Sequence, residues 1–241
     1  MMELVDGSLV IDNKYNSYAT MDDILEINPL CVKTIYIRKT FKLEENWDLS
    51  RYINVVEITI EHMVGLTMID FSKYKNLRFV KLRSCYDLET IIFKDKNSTD
   101  IIIDIEISNL KNINIPEKTT ELYLINCGLE KLDISKCVYL TNLCIYQNRL
   151  KYLDISNNHS LCSIDISHNR ISNIIDISNI LYLDTFNIEY NLIEYIKTHN
   201  DLEIDDYDIS HNLLGFVVTN DCVELKRNLN ERIMLKTIDM L

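Results

Sequence analysis

The strongest constraint on this chain is that it matches itself. Residues 121–135 read ELYLINCGLEKLDIS and residues 142–156 read NLCIYQNRLKYLDIS; the two superimpose without a gap at a shift of 21, with Cys127 standing where Asn148 stands. The frame continues at Ile164, Ile166 and Asn169, at Phe186, Ile188 and Asn191, and at Tyr207, Ile209 and Asn212, so the Asn positions are 21, 22 and 21 residues apart. Running backward it becomes looser, through Ile103, Ile105 and Ser108, then Val80, Leu82 and Cys85, then Ile58, Ile60 and Met63, and finally Ile35, Ile37 and Thr40. That makes about nine units, a period that marks a stacked repeat architecture.

Spacing within a unit dictates its local structure. Leu122 and Leu124 are two apart and lie on one face of a strand, while Tyr123 and Ile125 point the other way. One such strand cannot bury its apolar face alone; stacking equivalent strands in parallel does bury it. The following slot is filled by Asn148, Asn169, Asn191 and Asn212, and by Cys85, Ser108 and Cys127 in the earlier units. An inward amide there can hydrogen-bond the backbone of the turn, rung after rung, and the smaller residues fit the slot by size. The second half of the unit repeats as Trp47–Ser50, Ile69–Ser72, Leu132–Ser135, Leu153–Ser156 and Ile175–Ser178, an apolar–Asp–apolar–Ser phrase. Alternation around an Asp predicts a short extended piece ending in a polar turn. Five copies of the Asp and Ser point to turn capping, not to a catalytic pair.

Ends and composition complete the outline. Residues 1–31 read as an N-terminal cap, with a hairpin around Asp6-Gly7 and a helix starting at Thr20, its Asp23 in the capping-box position, stopped at Asn28-Pro29. Residues 32–218 carry the repeats, and residues 219–241 read as a C-terminal capping helix with Cys222, Leu225, Leu229, Ile233 and Ile238 along one side. With 4 Gly and 2 Pro in 241 residues nothing reads as a flexible linker, so a single body is expected. Thirty-seven acidic against 25 basic residues give a net charge of −12, which repels phosphate backbones and anionic membranes; neither nucleic acid nor membrane is an expected ligand. Seven cysteines without paired spacing suit free thiols in a reducing compartment, and no secretory signal or membrane-length apolar run is evident, so a cytoplasmic protein is expected.

These units resemble the leucine-rich repeat family. The LxxLDISxNxxL phrasing is similar to the short subclass common in bacteria and large DNA viruses, and Asn169–Ile174 and Asn191–Ile196 also resemble the 22-residue phosphatase-regulator subclass. The resemblance covers about residues 32 to 218 and implies an α/β fold: a right-handed solenoid with a concave parallel β-sheet, little convex helix and caps at both ends.

On that fold the outward residues of the strands form the concave surface. Arg38, Lys39, Lys81 and Arg83 lie toward the N-terminus, and Glu61, Asp104 and Glu106 in the middle. The expected partner-binding set is Tyr123, Asn126, Tyr146, Gln147, Asp165, His168, Asn187, Glu189, Tyr190, Asp208 and His211, with Ser167 and Ser210 on the same late rungs. Tyr supplies contact area with a polar tip, so an aromatic middle flanked by charge suits a protein partner. His168 and His211 stand two rungs apart and converge poorly on a metal; His159 and Cys162 lack a second ligand pair, and no phosphate loop or nucleophile elbow is present. The expectation is a non-enzymatic interaction module, monomeric before it meets a protein partner, without cofactor or metal. The AT-rich-genome composition and the resemblance imply a viral or bacterial modulator of host signalling, acting in host cytoplasm if viral. A regulatory subunit of an enzyme such as a protein phosphatase, or a structural component of an assembly, are the alternatives.

Overall fold

The structure, a computed structural model, describes residues 2–5, 7–12, 28–38, 51–94, 100–213 and 216–219. The helices expected after Thr20 and after Asn220, Lys39 and the Trp47–Ser50 unit lie outside these residues. Within them the chain is a parallel β-solenoid of about eight turns.

Its main element is an 11-stranded sheet. The strands, in spatial order, are β1 (Met2–Val5), β2 (Ser8–Asp12), β3 (Thr34–Arg38), β4 (Glu57–Glu61), β6 (Phe79–Cys85), β8 (Ile101–Ser108), β10 (Thr119–Ile125), β11 (Asn142–Cys144), β12 (Ser163–Asp165), β14 (Tyr182–Asn187) and β16 (Glu203–Asp208). β1 and β2 form an antiparallel hairpin through Gly7, whose φ of 80° and close approach to the Cys31 carbonyl favour the residue without a Cβ. All other pairings in this sheet are parallel. The register aligns Ile35, Ile58, Val80, Ile103, Leu122, Leu143, Ile164, Phe186 and Tyr207 in one row.

The return halves of early and late turns build two further parallel sheets, β5 (Met68–Asp70), β7 (Thr90–Ile92) and β9 (Asn112–Ile113), and β13 (Ile175–Ile177), β15 (Tyr195–Thr198) and β17 (Phe216–Thr219), while the return segments of the two turns between carry no strand. Among the described residues there is no helix, and the α/β label is corrected there to an all-β solenoid. The reason lies in the period: Leu153 and Ile155, or Ile175 and Ile177, are buried two residues apart, as extended chain requires and a helix face does not permit. The Asp of each return unit caps the turn that follows. Asp70, Asp133, Asp154 and Asp176 each accept the amide N–H of the Ser two residues on at 2.8–3.0 Å, and the hydroxyls of Ser135, Ser156 and Ser178 donate to the same oxygens. Consistent with that, the Asp133 carboxyl is held below its ordinary range by the hydroxyl and then the amide of Ser135. Asp176 is also lowered; burial pushes it up, but Lys197 and Ser178 outweigh this.

One turn shows the core. Leu122, Leu124, Cys127, Leu129, Ile134, Cys137 and Leu140 are each no more than 1% exposed, pointing inward from three sides of the coil. Strand alternation alone would put residue 126 inward after Leu122 and Leu124. Instead Asn126 has a φ of 51°, and this left-handed step shifts the alternation by one, so Cys127 points in. The same step recurs at His62, Ser84, Ile107, Asn126, Gln147, His168, Tyr190 and His211, with φ between 51° and 60°. None of these is glycine, and a β-branched residue tolerates the conformation least. Ile107→Asn is therefore expected to raise stability by about 1 kcal/mol, read as a higher urea midpoint with an unchanged slope.

The outer face and rim of the large sheet as candidate functional site

The site is laid out by what the left-handed step does to its neighbours. The residue after it turns inward: Asn148, Asn169 and Asn191 are buried, and Asn212 is half-buried. Each amide ties its rung to the preceding one in both directions. Asn169 Nδ2 donates to the carbonyls of Ile145 (2.9 Å), Ile166 (3.1 Å) and Ser167 (3.2 Å), while its Oδ1 accepts the N–H of Leu150 at 3.1 Å. Asn148, Asn191 and Asn212 repeat the pattern, donating back to Leu124, Ile166 and Ile188 and accepting from Leu129, Ile171 and Ile193. In the same slot Cys127 Sγ donates to the carbonyls of Ile105 (3.3 Å) and Ile125 (3.4 Å), and Cys85 Sγ to that of Arg83 (3.5 Å). Ser108 Oγ is buried and finds no hydrogen-bond partner among the described residues.

The residue bearing the left-handed step lies instead at the rim of the sheet. His168, Tyr190 and His211 form a column of rings there, and Tyr146, the residue before the step at Gln147, joins its end. Tyr146 meets His168 edge-on at 5.2 Å, His168 stacks on Tyr190 at 4.6 Å, and Tyr190 stacks on His211 at 4.0 Å with an 8° angle between planes. His168 and His211, two rungs apart, are thus bridged by a tyrosine. Glu189 Oε1 lies 3.7 Å from His211 Nδ1, which also sits 3.0 Å from Ser210 Oγ. Gln147 and Asn126 continue the rim as exposed left-handed residues toward the N-terminus.

Behind the rim, register places Tyr123, Cys144, Asp165, Asn187 and Asp208 in one outward row. Asp165, Asn187 and Asp208 each use Oδ1 to accept the N–H two residues on, from Ser167, Glu189 and Ser210 at 2.9–3.0 Å, closing the strand before the left-handed step. Ser167, expected on the surface, is 1% exposed, because its hydroxyl folds back onto Asp165 Oδ1. Tyr123 stands apart from the ring column. It is half-buried, its hydroxyl donates to Glu121 Oε2 at 2.8 Å and accepts from Asn142 Nδ2, and burial raises its pKa.

Cations and carboxylates of the N-terminal half neutralise each other across rungs. Arg83 pairs with Asp104 at 2.9 Å and with Glu106, and Arg38 lies 3.9 Å from Glu61, which also accepts the Tyr36 hydroxyl. Three features escaped the sequence reading: the left-handed row, the alternating His and Tyr stack, and exposed Leu192 and Leu213 beside it. The only sequence signal for them is that His168, Tyr190 and His211 each immediately precede a slot Asn.

Among the described residues no group of three or more His, Cys, Asp or Glu side chains is arranged to hold a metal ion. Burial pushes the thiols of Cys85 and Cys144 up to about 11, and those of Cys127 and Cys137 up to about 12. No protein-family model matches the chain, and no curated protein matches it.

Asn169→Ala strands a buried N–H and several carbonyls and is expected to cost about 3 kcal/mol, whereas Ser108→Ala, which removes an unpartnered hydroxyl, is expected to cost nothing; urea denaturation of both separates the roles. The raised thiols stay protonated in the fold while the unfolded chain ionises near the ordinary 9.0. Stability is thus fully present below pH 9 and is expected to fall as pH rises from there toward about 12. At pH 8, iodoacetamide followed by mass spectrometry is expected to label exposed Cys31 and to leave Cys85, Cys127 and Cys137 unmodified in the native protein.

Proposed function

We propose that this chain is a non-enzymatic interaction module of the leucine-rich-repeat type, a right-handed solenoid that holds one protein partner on the outer, concave face of its large sheet. It works in the cytoplasm, modulating the partner by occupation or scaffolding; the composition and repeat phrasing favour a viral or bacterial modulator of host signalling. The observation that carries this reading is the column of Tyr146, His168, Tyr190 and His211 outside the core. Core packing does not call for rings there. Stacked rings supply rigid contact area at low entropic cost, the quality that energetically dominant interface residues share. The nine repeat strands from β3 to β16, at about 4.8 Å, give a face about 40 Å across, enough for a standard protein interface.

Affinity capture from cytosol with intact protein and with Tyr123→Ala/Tyr146→Ala/Tyr190→Ala tests it. The expected outcome is one partner lost selectively from the variant. Because Tyr123 and Tyr190 also make contacts within the chain, the variant is first matched to wild type by thermal melting, and Glu189→Lys provides a second variant that leaves the rings in place. Equal capture by wild type and both variants overturns the docking face.

A further inference from the structure

We propose, resting on that docking face, that its partner presents a basic, amphipathic polypeptide segment to the last three rungs. Between residues 157 and 213 ten carboxylates stand against two cationic side chains, Arg170 and Lys197. Lys197 is engaged by Asp176 at 2.7 Å on the separate β13–β15–β17 sheet, away from this face. Arg170 follows inward Asn169 at the rim, so the outward row of β12, β14 and β16, with Glu189 just beyond β14, carries Asp165, Glu189, Asp206 and Asp208 and, among the described residues, no Lys or Arg. The contrast lies within one sheet, since Arg38 and Arg83 meet carboxylates on the next rungs of the N-terminal half.

The rim beside this field is apolar on its last two rungs, with Arg170 in the same position one rung earlier. Tyr190 and Leu192 flank inward Asn191, and Leu213 follows inward Asn212; they are 44%, 45% and 59% exposed. A field of one sign along a face attracts and orients a cationic partner and rejects anionic ones. The neighbouring apolar strip gains only from a partner that carries apolar side chains as well. Charge complementarity thus selects a basic segment, and the rim selects an amphipathic one.

The test uses the intact protein and a fluorescent 16-residue amphipathic peptide of Lys, Arg and Leu, followed by anisotropy at pH 8. Asp165→Asn/Glu189→Gln/Asp208→Asn removes three charges while preserving the strand-end turns, since Asn187 already fills that role between Asp165 and Asp208. Asp70→Asn/Asp133→Asn/Asp154→Asn removes three charges from turns in the return half, again with an amide oxygen left to accept the Ser N–H. The expected result is about tenfold weaker binding for the first triple and less than about twofold for the second, with a serine-for-leucine peptide also weakened. Equal loss in both triples, equal binding of a Glu-substituted peptide, or no binding by wild type overturns the proposal. The docking face itself fails separately. A neutral or acidic protein lost from the tyrosine variant but retained by the face triple leaves that face standing and removes the basic partner; equal capture by every variant removes both.

Discussion

Everything else in this solenoid depends on a backbone step into the left-handed region at the end of eight strands of the large sheet, coupled to an inward side chain that is polar or small everywhere but Met63. The step recurs at eight positions from His62 to His211. Without it, strand alternation would send Asn169 toward solvent, and the carbonyls of Ile145 and Ile166 would lose a donor in the interior. With it, each amide reaches back to the preceding rung as donor and as acceptor, so the turn of one rung is stabilised by the presence of the next. The fold is cooperative along its axis for that reason. Non-glycine residues in a disfavoured conformation are tolerated because the buried hydrogen bonds outweigh a cost of about 1–2 kcal/mol at each step.

The same geometry makes the candidate binding surface. Turning one residue inward leaves the preceding one at the rim, and parallel register stacks those rim residues above one another. A column of aromatic rings is then available wherever the sequence puts His or Tyr before the slot Asn, as at His168, Tyr190 and His211. The surface arises from the structural device without drawing on the core, whose apolar positions lie on the other side of the same strands.

Register also decides which charges are compensated. Lys81 lies beside Asp104 and Arg83 beside Glu106 in adjacent strands, so the N-terminal half holds opposite charges at about one strand spacing. Late rungs repeat Asp or Asn in the same row, with a side-chain oxygen closing the turn, and the described strands there place no Lys or Arg in the adjoining register. A residue type retained for local capping thereby accumulates into a long-range field, because stacking adds the rungs together.

Much of this was legible in the residues alone. The steps of 21 and 22 between Asn148, Asn169, Asn191 and Asn212 determined the strands, their register and the inward amides, because a stacked repeat must place equivalent residues in one row. The Asp–Ser phrase likewise determined its turns, since the Asp and the N–H it accepts are two residues apart in sequence. The extended return pieces were legible too, since apolar residues two apart around the Asp exclude a helix face; the separation of Tyr123 from the ring column was decided by a contact between rungs, its hydroxyl meeting Asn142. So was the left-handed step at Tyr190, which has no local preference for positive φ and adopts it because the hydrogen bonds of Asn191 to the neighbouring rung require that side chain to face inward. Sequence determined what recurs within a unit, and tertiary structure decided what depends on two units meeting, because those hydrogen bonds and ring stacks exist only between rungs.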